Sequence, residues 1–193
     1  MRAISLPTMV AVCASATVLT ACSKAPPQAT QPVSQDTLPI ATLQEIMHFQ
    51  VEPAAFFVWE SVGTEITAQG TSEKSPQTTA EWTDVRGRAV LLAEAANLLL
   101  IKDRNVAAHG KALADSDVKG ISTPDEIRKT IDTNRDQFHA FALALRGAAQ
   151  QAIAAIDAKN TAALVVAGGS IDTVCEDCHS KFWYPNAQAA PTK

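Results

Sequence analysis

Residues 161–182 read TAALVVAGGSIDTVCEDCHSKF. Within them Leu164, Ala167, Ile171, Val174 and Cys178 recur at spacings of 3, 4, 3 and 4. That repeat keeps one side of a helix against its neighbours. It turns Cys178 toward the interior and sets Cys175, one turn back, on an adjoining stripe. Gly168 and Gly169 interrupt the pattern, and each costs about 1 kcal/mol against alanine in a helix. The spacing therefore predicts a helix that needs room at this point.

The same period extends upstream. A segment beginning Ser122-Thr123-Pro124-Asp125-Glu126 has Thr123 placed as N-cap, Pro124 at the first helical position and acids in the first turn, a strong start signal. Its seam runs through Ile127, Ile131, Asn134, Phe138, Phe141, Leu145, Ala148, Ala152 and Ala155. Asn134 is the polar member, expected as a satisfied core amide that fixes register. Before it, residues 79–101 carry Trp82, Val85, Ala89, Leu92, Ala96 and Leu99 on one seam, with Thr78 or Thr79 as N-cap and Glu81 in the first turn. Residues 40–62 hold Leu43, Ile46, Met47, Phe49, Ala54, Phe57, Val58 and Val62. Pro53 lacks an N–H and should kink or split that segment. Residues 63–78 and 103–122, with their glycines and mixed polar composition, read as loops. Four periodic segments joined by short-to-medium loops predict an all-α fold, an antiparallel four-helix bundle.

A length of 193 residues suits one domain with appended segments. Sixteen Lys+Arg against 20 Asp+Glu exclude the basic surplus of a nucleic-acid binder. An aromatic content of 5% argues against an all-β sandwich. A mean hydropathy of +0.02 is too low for a polytopic membrane protein.

The N-terminus reads as an address. Arg2 precedes an uncharged run over residues 3–19, too short and too interrupted for a membrane span. It ends in Leu19-Thr20-Ala21-Cys22, which resembles the bacterial lipobox, so residues 1–21 are expected as a lipoprotein signal peptide and Cys22 as the lipidated residue. Ser23 after that cysteine implies, by the same resemblance, the periplasmic face of the outer membrane. Residues 22–39, with Pro26, Pro27, Pro32 and Pro39, form a lipid-anchored Pro-rich tether. A domain over residues 40–187 follows, and residues 188–193 are expected as a disordered tail.

Chemistry concentrates in Cys175-Glu176-Asp177-Cys178-His179. C-x-x-C-H is the attachment signal for c-type haem. Two thiols one helical turn apart can each add to a vinyl group, and the next residue then carries its imidazole to the iron. A disulfide between them closes too small a loop to stabilise much. A redox dithiol wants a βαβ setting, and zinc wants further ligands at fitting spacing. The expected cofactor is covalent haem c, with Cys175 and Cys178 as thioethers and His179 as proximal iron ligand. Phe182-Trp183-Tyr184-Pro185 reads as a hydrophobic lid on the haem or the bundle end. Glu176 and Asp177 read as a solvated face, His109 as a loop residue and His139 as a rim residue.

A C-x-x-C-H motif late in the last of four helices resembles the class II cytochromes c, the family of cytochrome c-prime and its low-spin relatives. The similarity in architecture covers about residues 40–185, and it is most specific over residues 43–47, 92–99 and 175–185. One departure is visible: after the haem histidine those proteins carry an aromatic residue and then a base, whereas here Phe182 is followed by Trp183. In low-spin relatives a methionine early in the first helix is the sixth ligand, and the resemblance sets Met47 at that place. His48 is a rival, and an open site is the third option. Met47 ligation implies an electron carrier, whereas an open site implies a five-coordinate protein that binds or senses NO or CO. Peroxidase-like catalysis would need a distal acid–base pair, for which only His48 and Glu45 are at hand. The expectation is therefore a haem protein rather than an enzyme, with membrane-associated redox partner proteins, no nucleic acid, and a homodimer as relatives often form.

Overall fold

The computed structural model describes residues 38–185. The signal-peptide reading over residues 1–21, the lipidation of Cys22, all but the end of the tether, and the tail at residues 188–193 lie outside the described residues. The fold is mostly helical, with about 64% of the described residues in helices and one small two-stranded sheet.

Three helix starts are fixed by the same cap chemistry. α1 (Leu43–Ile46), α3 (Thr79–Leu99) and α4 (Pro124–Thr133) each open on a capping box: Thr42 with Glu45, Thr78 with Glu81, and Thr123 with Glu126. In each, the threonine hydroxyl accepts the N3 amide while the glutamate accepts the N-cap amide, satisfying two orphan donors at once. Each glutamate carboxyl is held below its ordinary range by these bonds.

Helix carries through Pro53 without a gap, but not as one regular α-helix. α1 passes through a π-helical turn, Met47–Val51, into α2 (Glu52–Glu60). The Glu52 amide donates to the Met47 carbonyl, five residues back. A proline ring collides with the carbonyl four residues before it and brings no donor, so the widened turn takes up the mismatch. Such π-bulges recur at functional sites.

Two expectations are corrected. Residues 63–78 are not simply a loop: β1 (Gly63–Thr67) and β2 (Gly70–Lys74) pair antiparallel, with Gly63 opposite Lys74 and Thr67 opposite Gly70. The hairpin is exposed along nearly all of its length and is tethered by Lys74 Nζ to Glu60 Oε2 at 3.5 Å. Asn134, in turn, is not a buried register-fixing amide. It ends α4 and starts α5 (Arg135–Asp157), at φ −122° and ψ 43°. Its side chain turns back to donate to the Thr130 carbonyl at 2.8 Å, the local bonding by which Asn competes with helix continuation.

α6 (Thr161–Phe182) starts on Asn160, whose side chain caps the Ala163 amide. α3 and α5 run antiparallel, tied at one end by Arg86 to Asp157 (2.7 Å) and further along by Arg146 to Asn97 (3.1 Å). α6 packs on α5 and α2, and α2 packs on α3. The seam of α3 is buried at every position named above, as is that of α5 apart from half-buried Phe141. Ile46, Val58, Leu92, Ile131, Leu164 and Ile171 are fully buried, each worth about 1.5–3 kcal/mol in area removed from water.

The segment before α4 contributes more than its composition suggests. Val106, Ala107 and Leu113 enter the core, and Arg104 is buried. The Arg104 guanidinium donates to the Leu98 carbonyl, at the end of α3, and to the Ala41 carbonyl, at the start of α1. A cation at a helix C-terminus meets the negative end of its dipole. Gly168 also has its explanation: a methyl there would stand 3.2 Å from Trp59 Cδ1, and the Trp59 indole N–H donates to the Gly168 carbonyl at 2.9 Å. Gly169 faces open space.

Candidate functional site

Packing of α1–α2, α3, α5 and α6 leaves a narrow apolar crevice of about 20 Å³. α6 contributes Val174, Cys175, Cys178 and His179. α5 contributes Phe138, Phe141, Ala142 and Leu145, and α3 ends on it with Leu99. Met47 and Val51 reach it from the two ends of the π-turn. Val174, Cys175, Cys178 and Phe141, on or beside stripes that are elsewhere buried, are only half-buried because they border this space.

The sequence-predicted site residues are therefore sorted by the fold. Met47, Cys175, Cys178 and His179 line one crevice, although 128 residues separate Met47 from Cys175. His48 does not join them. Its side chain is 67% exposed, with Nδ1 3.5 Å from Glu52 Oε2 and its ring edge-on to Phe49. Glu45 is engaged in its capping box. His109 lies in an exposed turn, and half-buried His139 accepts a bond from Arg135 Nε at 3.1 Å.

The electrostatics of the motif follow from burial. Both cysteines are free. Burial, with the Asp172 carboxylate adding to it, pushes the Cys175 thiol up to about 11. Burial and its neighbour Cys175 push the Cys178 thiol up to about 12. These are neutral thiols at physiological pH, the opposite of the lowered values that activate redox dithiols. Burial also holds the His179 imidazole below its ordinary range, against an opposing pull from Glu176. A neutral imidazole is the form that ligates a metal.

The last turn of α6 is closed by aromatic packing. Phe182 is buried, edge-on to Phe138 at 5.4 Å and to Phe141 at 6.2 Å. Trp183 meets the His179 ring at 5.0 Å and 83°. The Trp183 and Tyr184 amides both donate to the His179 carbonyl, and the Tyr184 hydroxyl donates to Glu176 Oε2 at 2.5 Å. Burial and Glu176 raise the Tyr184 phenol to about 12. Glu176 is thus exposed but occupied.

Three features were not singled out in the sequence. Val51 joins the crevice beside Met47, four residues earlier on the same helix face. Trp59 reaches α6 only through the space left by Gly168. Phe49, Phe56 and Phe57, two of them expected on the apolar side of the first segment, are 67%, 53% and 40% exposed. Phe57 lies under the Arg88 guanidinium, 5.2 Å from the ring centroid, at a surface groove between α2 and α3 that also includes Gly87 and Leu91.

Among the described residues, no three His, Cys, Asp or Glu side chains come together to hold a metal ion by themselves, and no helix is long and apolar enough to cross a membrane. No protein-family model, no curated protein and no solved structure matches the chain.

Proposed function

We propose that this chain is a c-type cytochrome with the antiparallel four-helix bundle of the class II kind, and that it carries electrons. The observation that carries this reading is the apolar crevice that joins the C-x-x-C-H motif of α6 to Met47 of the π-turn. A porphyrin supplies four iron ligands of its own, so the protein has to provide only the axial ones. The donor set fits that need: two neutral thiols to attach the macrocycle, one neutral imidazole, and one thioether.

Haem c, when bound, supplies a one-electron couple. The chain's residues do the rest. Cys175 and Cys178 would attach the macrocycle to α6. His179, kept neutral by burial and packed against Trp183, would offer its imidazole to the iron. Met47 would offer a thioether, a soft donor that raises the reduction potential. The aromatic and aliphatic side chains of α5 exclude water, which also raises the potential and limits rearrangement between oxidation states.

Lipid on Cys22 and the Pro-rich tether hold the domain at the periplasmic face of the outer membrane, near membrane-associated redox partners. The net charge of −4 favours a partner with a basic docking surface.

The test is one absorption and magnetic spectrum of the purified holoprotein, with Met47→Ala beside it. Covalent low-spin haem that becomes high-spin in Met47→Ala supports the carrier. Five-coordinate haem that binds carbon monoxide without that substitution overturns it in favour of a gas-binding protein.

A further inference from the structure

Among the described residues, two buried side-chain nitrogen atoms have no hydrogen-bond partner: Arg135 Nη2 and Trp183 Nε1. Both are donors, and buried donors are nearly always paired. Neither is free to swing to solvent. Arg135 is held by its Nε bond to His139 Nε2 at 3.1 Å. Trp183 is held by its amide bond to the His179 carbonyl, by its own carbonyl accepting the Ser122 amide at 2.8 Å, and by its ring against His179.

The two donors stand at the same end of the fold. Arg135 opens α5, and Phe138, Ala142 and Leu145, on the same stripe of that helix, line the crevice. Trp183 closes α6. The start of α5 and the end of α6 meet where the Phe138 and Phe182 rings cross. Beside them is His179, the imidazole of the crevice.

A guanidinium N–H and a neutral indole N–H together call for an anionic acceptor, of which a carboxylate is the natural form. The chain's own nearby carboxylates are committed elsewhere or turned to solvent. Glu176 accepts from Tyr184, Asp132 pairs with Arg128, and Asp136 and Asp172 are exposed. The acceptor therefore comes with the occupant of the crevice. A porphyrin has an apolar body that matches the crevice walls and carries two propionate carboxylates on one edge.

We propose that Arg135 and Trp183 form the seat of a haem propionate. The proposal rests on the haem reading above. Trp183 contributes only its N–H, while Arg135 brings the charge from another helix.

The experiment uses the full-length holoprotein and the variants Arg135→Gln and Trp183→Phe, with Arg86→Gln, which removes an exposed cation bound to Asp157 at the far end of α5, as control. Covalent haem and axial ligation are checked by absorption spectroscopy. Resonance Raman then reads the propionate bending bands, which respond to hydrogen bonding at the carboxylate, and a redox titration reads the potential. Expected are unchanged axial ligation, propionate bands displaced in both Arg135→Gln and Trp183→Phe, and a lower potential in Arg135→Gln, because a cation beside the haem favours the reduced state. Arg86→Gln should leave bands and potential at the wild-type values. Normal haem with unmoved propionate bands in both seat variants overturns the seat alone, and so does Arg86→Gln reproducing the Arg135→Gln shifts. Wild-type protein without covalent haem overturns the haem reading and the seat with it.

Discussion

Gly168 and Gly169 are neighbours in one helix, yet they should answer oppositely to the same substitution. Gly169 faces open space, so Gly169→Ala should gain the full helix preference of alanine, about 1 kcal/mol. Gly168→Ala gains the same preference, but its methyl would meet Trp59 Cδ1 at 3.2 Å. Trp59 cannot retreat freely, because its indole N–H is bound to the Gly168 carbonyl at 2.9 Å. Crowding of this kind costs about 1–3 kcal/mol, and pulling the N–H from its acceptor adds about 1 kcal/mol. The net for Gly168→Ala is about 1–3 kcal/mol destabilising, so the two variants should differ by about 2–4 kcal/mol. Urea unfolding of both, followed by circular dichroism in the same cofactor state, measures the difference. In melting temperature Gly169→Ala should rise by about 2–4 °C. A third variant isolates the cause: with Trp59→Ala present, Gly168→Ala should become stabilising, a coupling on the scale expected of residues in contact, about 0.5–3 kcal/mol. Equal gains from the two alanines would refute the assignment of Gly168 to Trp59.

Three further outcomes follow from the same geometry. Phe138→Ala, which removes a buried ring from both the Phe182 contact and the crevice wall, should cost about 3–5 kcal/mol in urea unfolding. Thr78→Ala should lower stability by about 1 kcal/mol through loss of the α3 capping box, and Thr78→Ser should keep most of it. The capping glutamates Glu45, Glu81 and Glu126 have folded values below their ordinary range. Their contribution is therefore complete above the unfolded carboxylate range and is lost as pH falls through the lower folded values. A urea midpoint that declines from neutral pH toward pH 3, and declines less steeply in Glu81→Gln, is the expected result.

How much was legible depended on the range of the interaction. Thr78, Thr123 and Pro124 announced their helix starts because a cap is made within four residues of chain. The α3 seam from Trp82 to Leu99 was read correctly, since a stripe of apolar side chains has one way to face inward. Asn134 was misread because a seam position cannot distinguish an amide buried between helices from one that bonds its own preceding turn. The β1–β2 hairpin escaped because its ten residues bury almost nothing and so carry no burial pattern.

The exposed phenylalanines of the first segment show the limit from another side. Phe49 and Phe57 fit an apolar pattern, yet Ile46, Val51, Ala54 and Val58 take the inward side and both rings stay exposed. Which of several apolar stripes turns inward is set by the packing of α2 on α3 and α6.

By itself, the sequence determined the helical class, the starts of the helices and the presence of two cysteines and a histidine on successive turns of α6. These depend on backbone donors, period and one turn of helix, all written in neighbouring residues. Only the tertiary structure decided that Met47 and not His48 lines one crevice with those cysteines, that Gly168 makes room for Trp59, and that Arg135 and Trp183 are left with idle donors at the same end of the fold. Those facts join residues many tens of positions apart. Such contacts are fixed by how whole helices settle against one another, and no stretch of chain records that alone.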